Sequence, residues 1–162
     1  MKKCNTELMK EIKKLEERKN DILLLEKSEC KVTYINKESK IETNYDYISV
    51  NQELDSIDLK IRNIKKVLAY SNATTIVPEY NMTIGECIIY LAQLNVKKNK
   101  LQEMANQPKI KRISSSYTTK VEYEEIVYDI DKVKEDFNKI IDDINNLQMA
   151  IDRCNLNNLI EV

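Results

Sequence analysis

The sequence predicts a mainly α-helical protein, an antiparallel four-helix, coiled-coil-like bundle with two β-hairpins at one end. Only one glycine and two prolines occur among 162 residues, and 33% of the residues are charged, which suits long amphipathic helices rather than glycine-rich turns. Apolar residues recur at alternating steps of three and four along four segments, the period of helices packed along narrow seams. Two further stretches alternate tyrosine or valine with polar residues, as strands do.

The four helical segments differ in how regular their apolar seams are. The last is the clearest, because its seam residues follow the three-four spacing without interruption: Ile130, Val133, Phe137, Ile140, Ile144, Leu147, Ile151 and Cys154. Lysines interrupt two of the other seams, at Lys19 and Lys98. Such a charge either fixes the register or reaches along the seam edge to water, and we favour the second reading. The predicted helices are 3–29, 50–71, 83–106 and 129–155.

Residues that start helices precede three of these segments. Ser49 with Gln52, and Thr83 with Glu86, have the form of capping boxes, in which the two side chains satisfy free N–H groups of the first turn. Asp129 is placed to cap the fourth helix.

The two predicted hairpins each join a pair of helices. The first spans 31–48 and the second 109–128, so the chain alternates helix, hairpin and helix twice. If the helices run up and down in turn, both hairpins lie at the same end. The alternation slips at Glu124 and Glu125, as a β-bulge would make it.

Charge and hydropathy exclude several classes of protein. The formal net charge is −1, so no overall attraction to nucleic acid or membrane follows, and extended nucleic-acid binding would need many phosphate contacts. No run of apolar residues is long enough to cross a bilayer, and the start of the chain lacks the apolar core of a signal peptide. We therefore expect one cytoplasmic domain, 1–162, with no membrane partner.

Catalytic and metal-binding patterns are missing from the sequence. There is no histidine, no serine-hydrolase, zinc-protease, phosphate-loop or kinase motif, and the adjacent acidic pairs point apart on a helix or strand. The four cysteines lack a zinc-type spacing and are expected to be reduced core thiols: Cys4, Cys30, Cys87 and Cys154. We therefore expect a non-enzyme without a cofactor or metal.

Short motifs in the second part of the chain resemble a family of small bacterial helical proteins with a domain of unknown function, sometimes called septicolysin. The matching pieces are Ser71-Asn72, the helix start at 82–84, the basic pair Lys111-Arg112, the segment 151–155 and Leu159-Ile160-Glu161. The resemblance spans roughly residues 50–162 and implies a helical fold. The family's name implies a secreted toxin, which nothing else in the sequence supports. The chain departs from the family pattern at Val67, Ala69 and Leu156.

The second hairpin and the first share the residue types that hold phosphates and bases. The segment 109–120 is basic, without an acidic residue, and contains hydroxyl side chains. Cations, hydroxyls and stacking aromatics suit a small anionic, nucleotide-type ligand. The candidate ligand-binding residues are Lys111, Arg112 and Lys120 for phosphate, Ser114, Ser115 and Ser116 as hydrogen-bond donors, and Tyr117 or Tyr45 as base-stacking rings.

Three functional interpretations remain open from these residues. The first is a non-catalytic, homo-oligomeric protein that sequesters such a ligand, as small helical viral proteins do with nucleotide immune signals, an analogy of fold only. The second is a structural or assembly protein whose hairpins dock another chain. In the third, the tyrosines pack on helix ends and the cations merely face water at a strand edge.

Overall fold

The structure, a computed structural model, describes residues 2–35, 43–113 and 121–161. It confirms the mainly α-helical class, with small antiparallel two-stranded sheets. The helices are α1 (Asn5–Glu29), α2 (Tyr47–Thr74), α3 (Ile84–Ala105) and α4 (Ile130–Asn157). The strands are β1 (Lys2–Cys4), β2 (Ile76–Val77), β3 (Met82–Thr83), β4 (Ile110–Ile113), β5 (Glu122–Glu125) and β6 (Leu159–Glu161). No helix within the described ranges has the length and apolar character needed to span a membrane.

The chain divides into two compact units. The first comprises Met1–Thr75 and Cys154–Val162, and the second comprises Ile76–Arg153. The expectation of one domain over 1–162 stays a prediction, and so does the expectation that the segments 31–48 and 109–128 lie at one end.

Helices α1 and α2 form the core of the first unit. Their seams meet in a cluster of buried leucine and isoleucine side chains, each of which contributes roughly 1.5–3 kcal/mol to stability. Lys19, in the α1 seam, does not simply reach to water, because its Nζ lies 2.6 and 2.8 Å from the two carboxylate oxygens of Asp58 on α2. The cluster comprises Leu8, Ile12, Ile22, Ile57, Ile61 and Ile64.

The first unit also holds a small sheet and a polar cluster that the sequence did not suggest. Strand β1 pairs antiparallel with β6. Beside this sheet, Asn5 Nδ2 donates to Asn155 Oδ1 at 3.0 Å. Asn158 Nδ2 donates to Ser71 Oγ at 3.1 Å and to Thr75 Oγ1 at 2.8 Å. Side chains close to β6 are thereby joined to the end of α2.

Helices α3 and α4 form the core of the second unit around Leu101, Val133 and Ile140. Both helix starts are as predicted. Thr83 and Glu86 form the capping box of α3, and Asp129 Oδ1 accepts from the backbone N–H of Asp131 at 2.9 Å and of Lys132 at 3.3 Å at the start of α4.

The predicted start of α2 is wrong. The helix begins at Tyr47, where Asp46 is the cap and its Oδ1 accepts from the backbone N–H of Ile48 at 3.0 Å. A carboxylate is at least as good a cap as the serine hydroxyl at Ser49. The earlier cap therefore adds residues 47–49 to the helix.

The first predicted hairpin, 31–48, is not found in the residues that are described. No strand occurs at 31–35 or 43–46, and 36–42 lie outside the described residues. An isolated two-stranded hairpin needs an apolar face to pack on something, and the alternating residues here do not provide one. Tyr34 is 47% exposed and Ile35 is 100% exposed. The second predicted hairpin has its two strands, as β4 and β5.

Candidate functional site

Strands β4 and β5 form a two-stranded sheet with every residue of both strands exposed. They pair antiparallel in continuous register, with Ile110 opposite Glu125 and Lys111 opposite Glu124. The predicted bulge at Glu124 and Glu125 is therefore wrong. The alternation of polar and apolar residues breaks at this point because glutamates occupy both faces of a regular strand.

The direction of the backbone groups follows from one hydrogen bond at the base of this hairpin. The N–H of Ile126 donates to the carbonyl of Lys109 at 3.1 Å. Hydrogen-bonded and non-hydrogen-bonded pairs alternate along an antiparallel ladder, and Lys109 with Ile126 is a hydrogen-bonded pair. The non-hydrogen-bonded pairs are therefore Ile110 with Glu125 and Arg112 with Tyr123, and their N–H and C=O groups point away from the partner strand. Neither outer edge pairs with another strand in the described parts of the chain.

The two predicted phosphate-binding residues of β4 lie on opposite faces of the sheet. Lys111 and Arg112 are adjacent, and successive side chains of a strand alternate between faces. Arg112 shares its face with Tyr123, whereas Lys111 lies opposite Glu124. The two cations therefore do not converge on one anion.

The face of Lys111 adjoins an open cleft of about 350 Å³ at the base of the hairpin. Lys111 is its only basic lining residue, whereas Glu124 and Glu125 contribute two carboxylates. The lining is therefore net negative and disfavours an anionic ligand. The remaining lining residues are Gln107, Pro108, Ile126, Val127 and Tyr128.

Tyr45, the predicted stacking residue of the first hairpin, belongs to the first unit, whereas Lys111 and Arg112 belong to the second. Its hydroxyl donates to Glu26 Oε1 at 2.5 Å. This hydrogen bond is the main reason that the pKa of Tyr45 is raised from 10.0 to about 12, and desolvation adds to the shift.

Tyr45 lines a cleft of about 290 Å³ between α1 and the start of α2, with an apolar floor and a mainly acidic rim. Arg18, the only basic residue of the lining, already pairs with Glu53 at 2.9 Å. This cleft also offers no free cation to a phosphate. The other lining residues are Asp21, Ile22, Leu25, Glu26, Glu29 and Val50.

The remaining predicted ligand residues, Ser114, Ser115, Ser116, Tyr117 and Lys120, lie outside the described residues. Their role stays a prediction.

Sequence reasoning missed the acidic strand as part of the site. Glu122, Glu124 and Glu125 give β5 three carboxylates, and β4 has the two cations. The separation of cations and carboxylates onto different strands could have been read from the sequence, since 109–120 has no acidic residue and 122–125 has no basic one.

The side chains that could hold a metal ion here are cysteines and carboxylates, since the chain has no histidine. Among the residues that the structure covers, no three or more cysteines and carboxylates are arranged to hold a metal ion, and no disulfide occurs. Cys4 and Cys87 are buried as expected, but Cys30 is exposed and Cys154 is half-buried. Cys30 is exposed because it caps the end of α1 beyond the seam.

The fold defines the class of the chain, a mainly α-helical protein with small antiparallel sheets. Within that class, the chain is similar to the crystal structure of a functionally unknown conserved protein from Corynebacterium diphtheriae, with a TM-score of 0.71 and 15% sequence identity. The match covers 99% of this chain and 100% of that one. At this identity the likeness shows the fold alone. No protein-family model and no curated protein matches the chain, and the resemblance to the septicolysin-type family stays a prediction.

Proposed function

We propose that this chain is a non-catalytic assembly protein that docks an extended protein segment along the β4–β5 hairpin. The observation that carries the proposal is that all the residues of both strands are exposed, and that both outer edges lack a neighbouring strand in the described residues. This is the docking interpretation of the sequence, placed on one hairpin rather than two.

The physical basis is the unpaired hydrogen-bonding groups of the edge. A two-stranded sheet is marginally stable in water, and adding a strand supplies partners for the outward N–H and C=O groups while stiffening the hairpin. Proteins that avoid such pairing cover the edge or place charged side chains on it, and charges oppose pairing most where like charges meet. Here β4 carries cations and β5 carries carboxylates, so the two edges do not repel each other.

A proline substitution at an outward-facing position tests the proposal. Tyr123→Pro removes an N–H that points away from β4, so it blocks the β5 edge without removing a hydrogen bond of the hairpin. Tyr123→Ala is the matched control, because it removes the same side chain and keeps the N–H. Arg112→Pro and Arg112→Ala test the β4 edge in the same way.

The assay is photo-cross-linking in expressing cells, with the cross-linker at the exposed Val121. We expect protein adducts with the unsubstituted chain and with both alanine variants, and their loss in at least one proline variant. Circular dichroism and the melting temperature check that each variant is folded. Identical adducts in each proline and alanine pair, or no adducts at all, would refute docking at the hairpin edges.

Sequestration of a small anionic ligand is the second candidate function, and one observation favours it. Arg112 lies opposite Tyr123 on one face of the hairpin and forms no ion pair within the described ranges. A guanidinium beside an aromatic ring suits a phosphate attached to a base. Calorimetric titration with a nucleotide panel should then give heat that Arg112→Ala abolishes and Lys100→Ala, on α3, preserves. No heat and no change of melting temperature with any nucleotide would exclude this function.

A further inference from the structure

We infer that the segment docked by the hairpin is the hairpin of a second copy of this chain, with the β4 edge of one copy against the β5 edge of the next. This inference rests on the proposed docking function and names its partner. It follows from the charges of the two edges and from the pairing geometry of the strands.

The charges of the strands decide which edges meet. Pairing two β4 edges would bring the cations of Lys111 and Arg112 together, and pairing two β5 edges would bring together the three glutamates of each strand. Like charges opposite each other destabilise a sheet, whereas opposite charges stabilise it. Only β4 against β5 places cations next to carboxylates.

The strand directions and registers are compatible with this arrangement. Since β4 and β5 are antiparallel within one hairpin, a second hairpin added alongside in the same orientation presents its β5 antiparallel to the first β4. The outward-facing groups then match in the register that the hairpin already uses. Ile110 pairs with Glu125 of the second copy and Arg112 with its Tyr123.

Side chains are complementary on both faces in this register. On one face, Arg112 is a diagonal neighbour of Glu125 of the second copy, roughly 7–8 Å away and within reach of a long side chain. On the other face, Lys111 lies between Glu124 of its own hairpin and Glu124 of the second copy. Both cations of β4 thus acquire a carboxylate from the adjoining copy.

Such pairing is head-to-tail. Each copy uses one edge to accept its neighbour and keeps the other edge available, so the assembly is a ring or an open chain of copies rather than a two-fold dimer. The predicted homo-oligomer therefore acquires a specific interface.

A charge exchange tests this interface. Arg112→Glu puts a glutamate where β4 meets Glu125 of the next copy, and Glu125→Lys puts a lysine where β5 meets Arg112 of the next copy. Within the hairpin neither substitution places like charges directly opposite each other, because Arg112 faces Tyr123 and Glu125 faces Ile110. Residues 112 and 125 are diagonal neighbours there as well, so melting temperatures of both single variants check the stability of the hairpin. In a mixture of the two variants, every contact between unlike copies again joins a glutamate to a lysine or an arginine.

Sedimentation velocity of the purified full-length chain is the measurement, at low and at high ionic strength. We expect the unsubstituted chain to associate with rising concentration, each variant alone to associate about tenfold more weakly, and the equimolar mixture to recover. The variant carrying both substitutions should also associate, which shows that neither change prevents folding.

The outcomes separate this inference from the proposed function. A chain that is monomeric at all concentrations, or variants that the mixture does not rescue, would overturn the inference. If Tyr123→Pro or Arg112→Pro nevertheless removes adducts in cells, the hairpin docks a different protein and the proposed function stands. If the proline variants keep all adducts, both fail.

Discussion

Asn158 follows the last residue of α4 and immediately precedes β6, and its side chain joins this segment to the end of α2. Its Nδ2 donates to Thr75 Oγ1 at 2.8 Å and to Ser71 Oγ at 3.1 Å, and Ser71 is only 3% exposed. A neutral hydrogen bond contributes about 1 kcal/mol, so we expect Asn158→Ala to cost about 2 kcal/mol. Asn157→Ala, at the exposed neighbouring position, should cost under about 0.5 kcal/mol.

Hydrogen exchange of the backbone amides in β1 and β6 measures this cost where it arises. Because the Asn158 contacts hold the chain next to β6, losing about 2 kcal/mol should open the β1–β6 pairing about 30-fold more often and accelerate exchange by the same factor. Amides in the middle of α3, in the other unit, should be unaffected. Equal protection in the Asn158→Ala and Asn157→Ala variants would refute the reasoning.

Three further outcomes follow from the contacts of single residues. Glu26→Gln should move the pKa of Tyr45 from about 12 back toward 10.0, which spectrophotometric titration against Tyr45→Phe will check. Because the folded chain holds the phenolic proton more tightly than the unfolded chain, the stabilisation by this hydrogen bond is present below pH 10.0 and is lost as the pH rises through about 12. Hydrogen bonds from the backbone N–H and the side chain of Thr83 hold the pKa of Glu86 below 4.5, so the stabilisation that they give is present above pH 4.5 and is lost as the pH falls through the lowered pKa. Thr83→Ala should lower the free energy of unfolding in urea by about 1 kcal/mol at neutral pH and by less in acid. Leu8→Ala, at a side chain that is 0% exposed, should cost about 3–5 kcal/mol in the same assay, and a cost near that of an exposed leucine would contradict the α1–α2 core.

The helices were predictable because their determinants are local. The three-four apolar spacing of the fourth segment reappears in the buried Val133, Ile140, Leu147 and Ile151 of α4. Strands β1 and β6 were not predictable, since each is only three residues long and their pairing joins Cys4 to Leu159, which are far apart in sequence. Such short strands have too few residues to show a period of two.

The candidate site shows why residue types near each other in sequence predict chemistry less well than they predict helices. Lys111 and Arg112 were grouped as one basic patch, but a strand sends adjacent side chains to opposite faces. The strand that returns beside them is acidic, so Lys111 lies opposite Glu124. A local excess of charge is a property of a segment, whereas the field that a ligand meets depends on which segments pair. For this hairpin the pairing sets an acidic strand beside the basic one, so a free phosphate at Lys111 would meet a carboxylate as well as a cation.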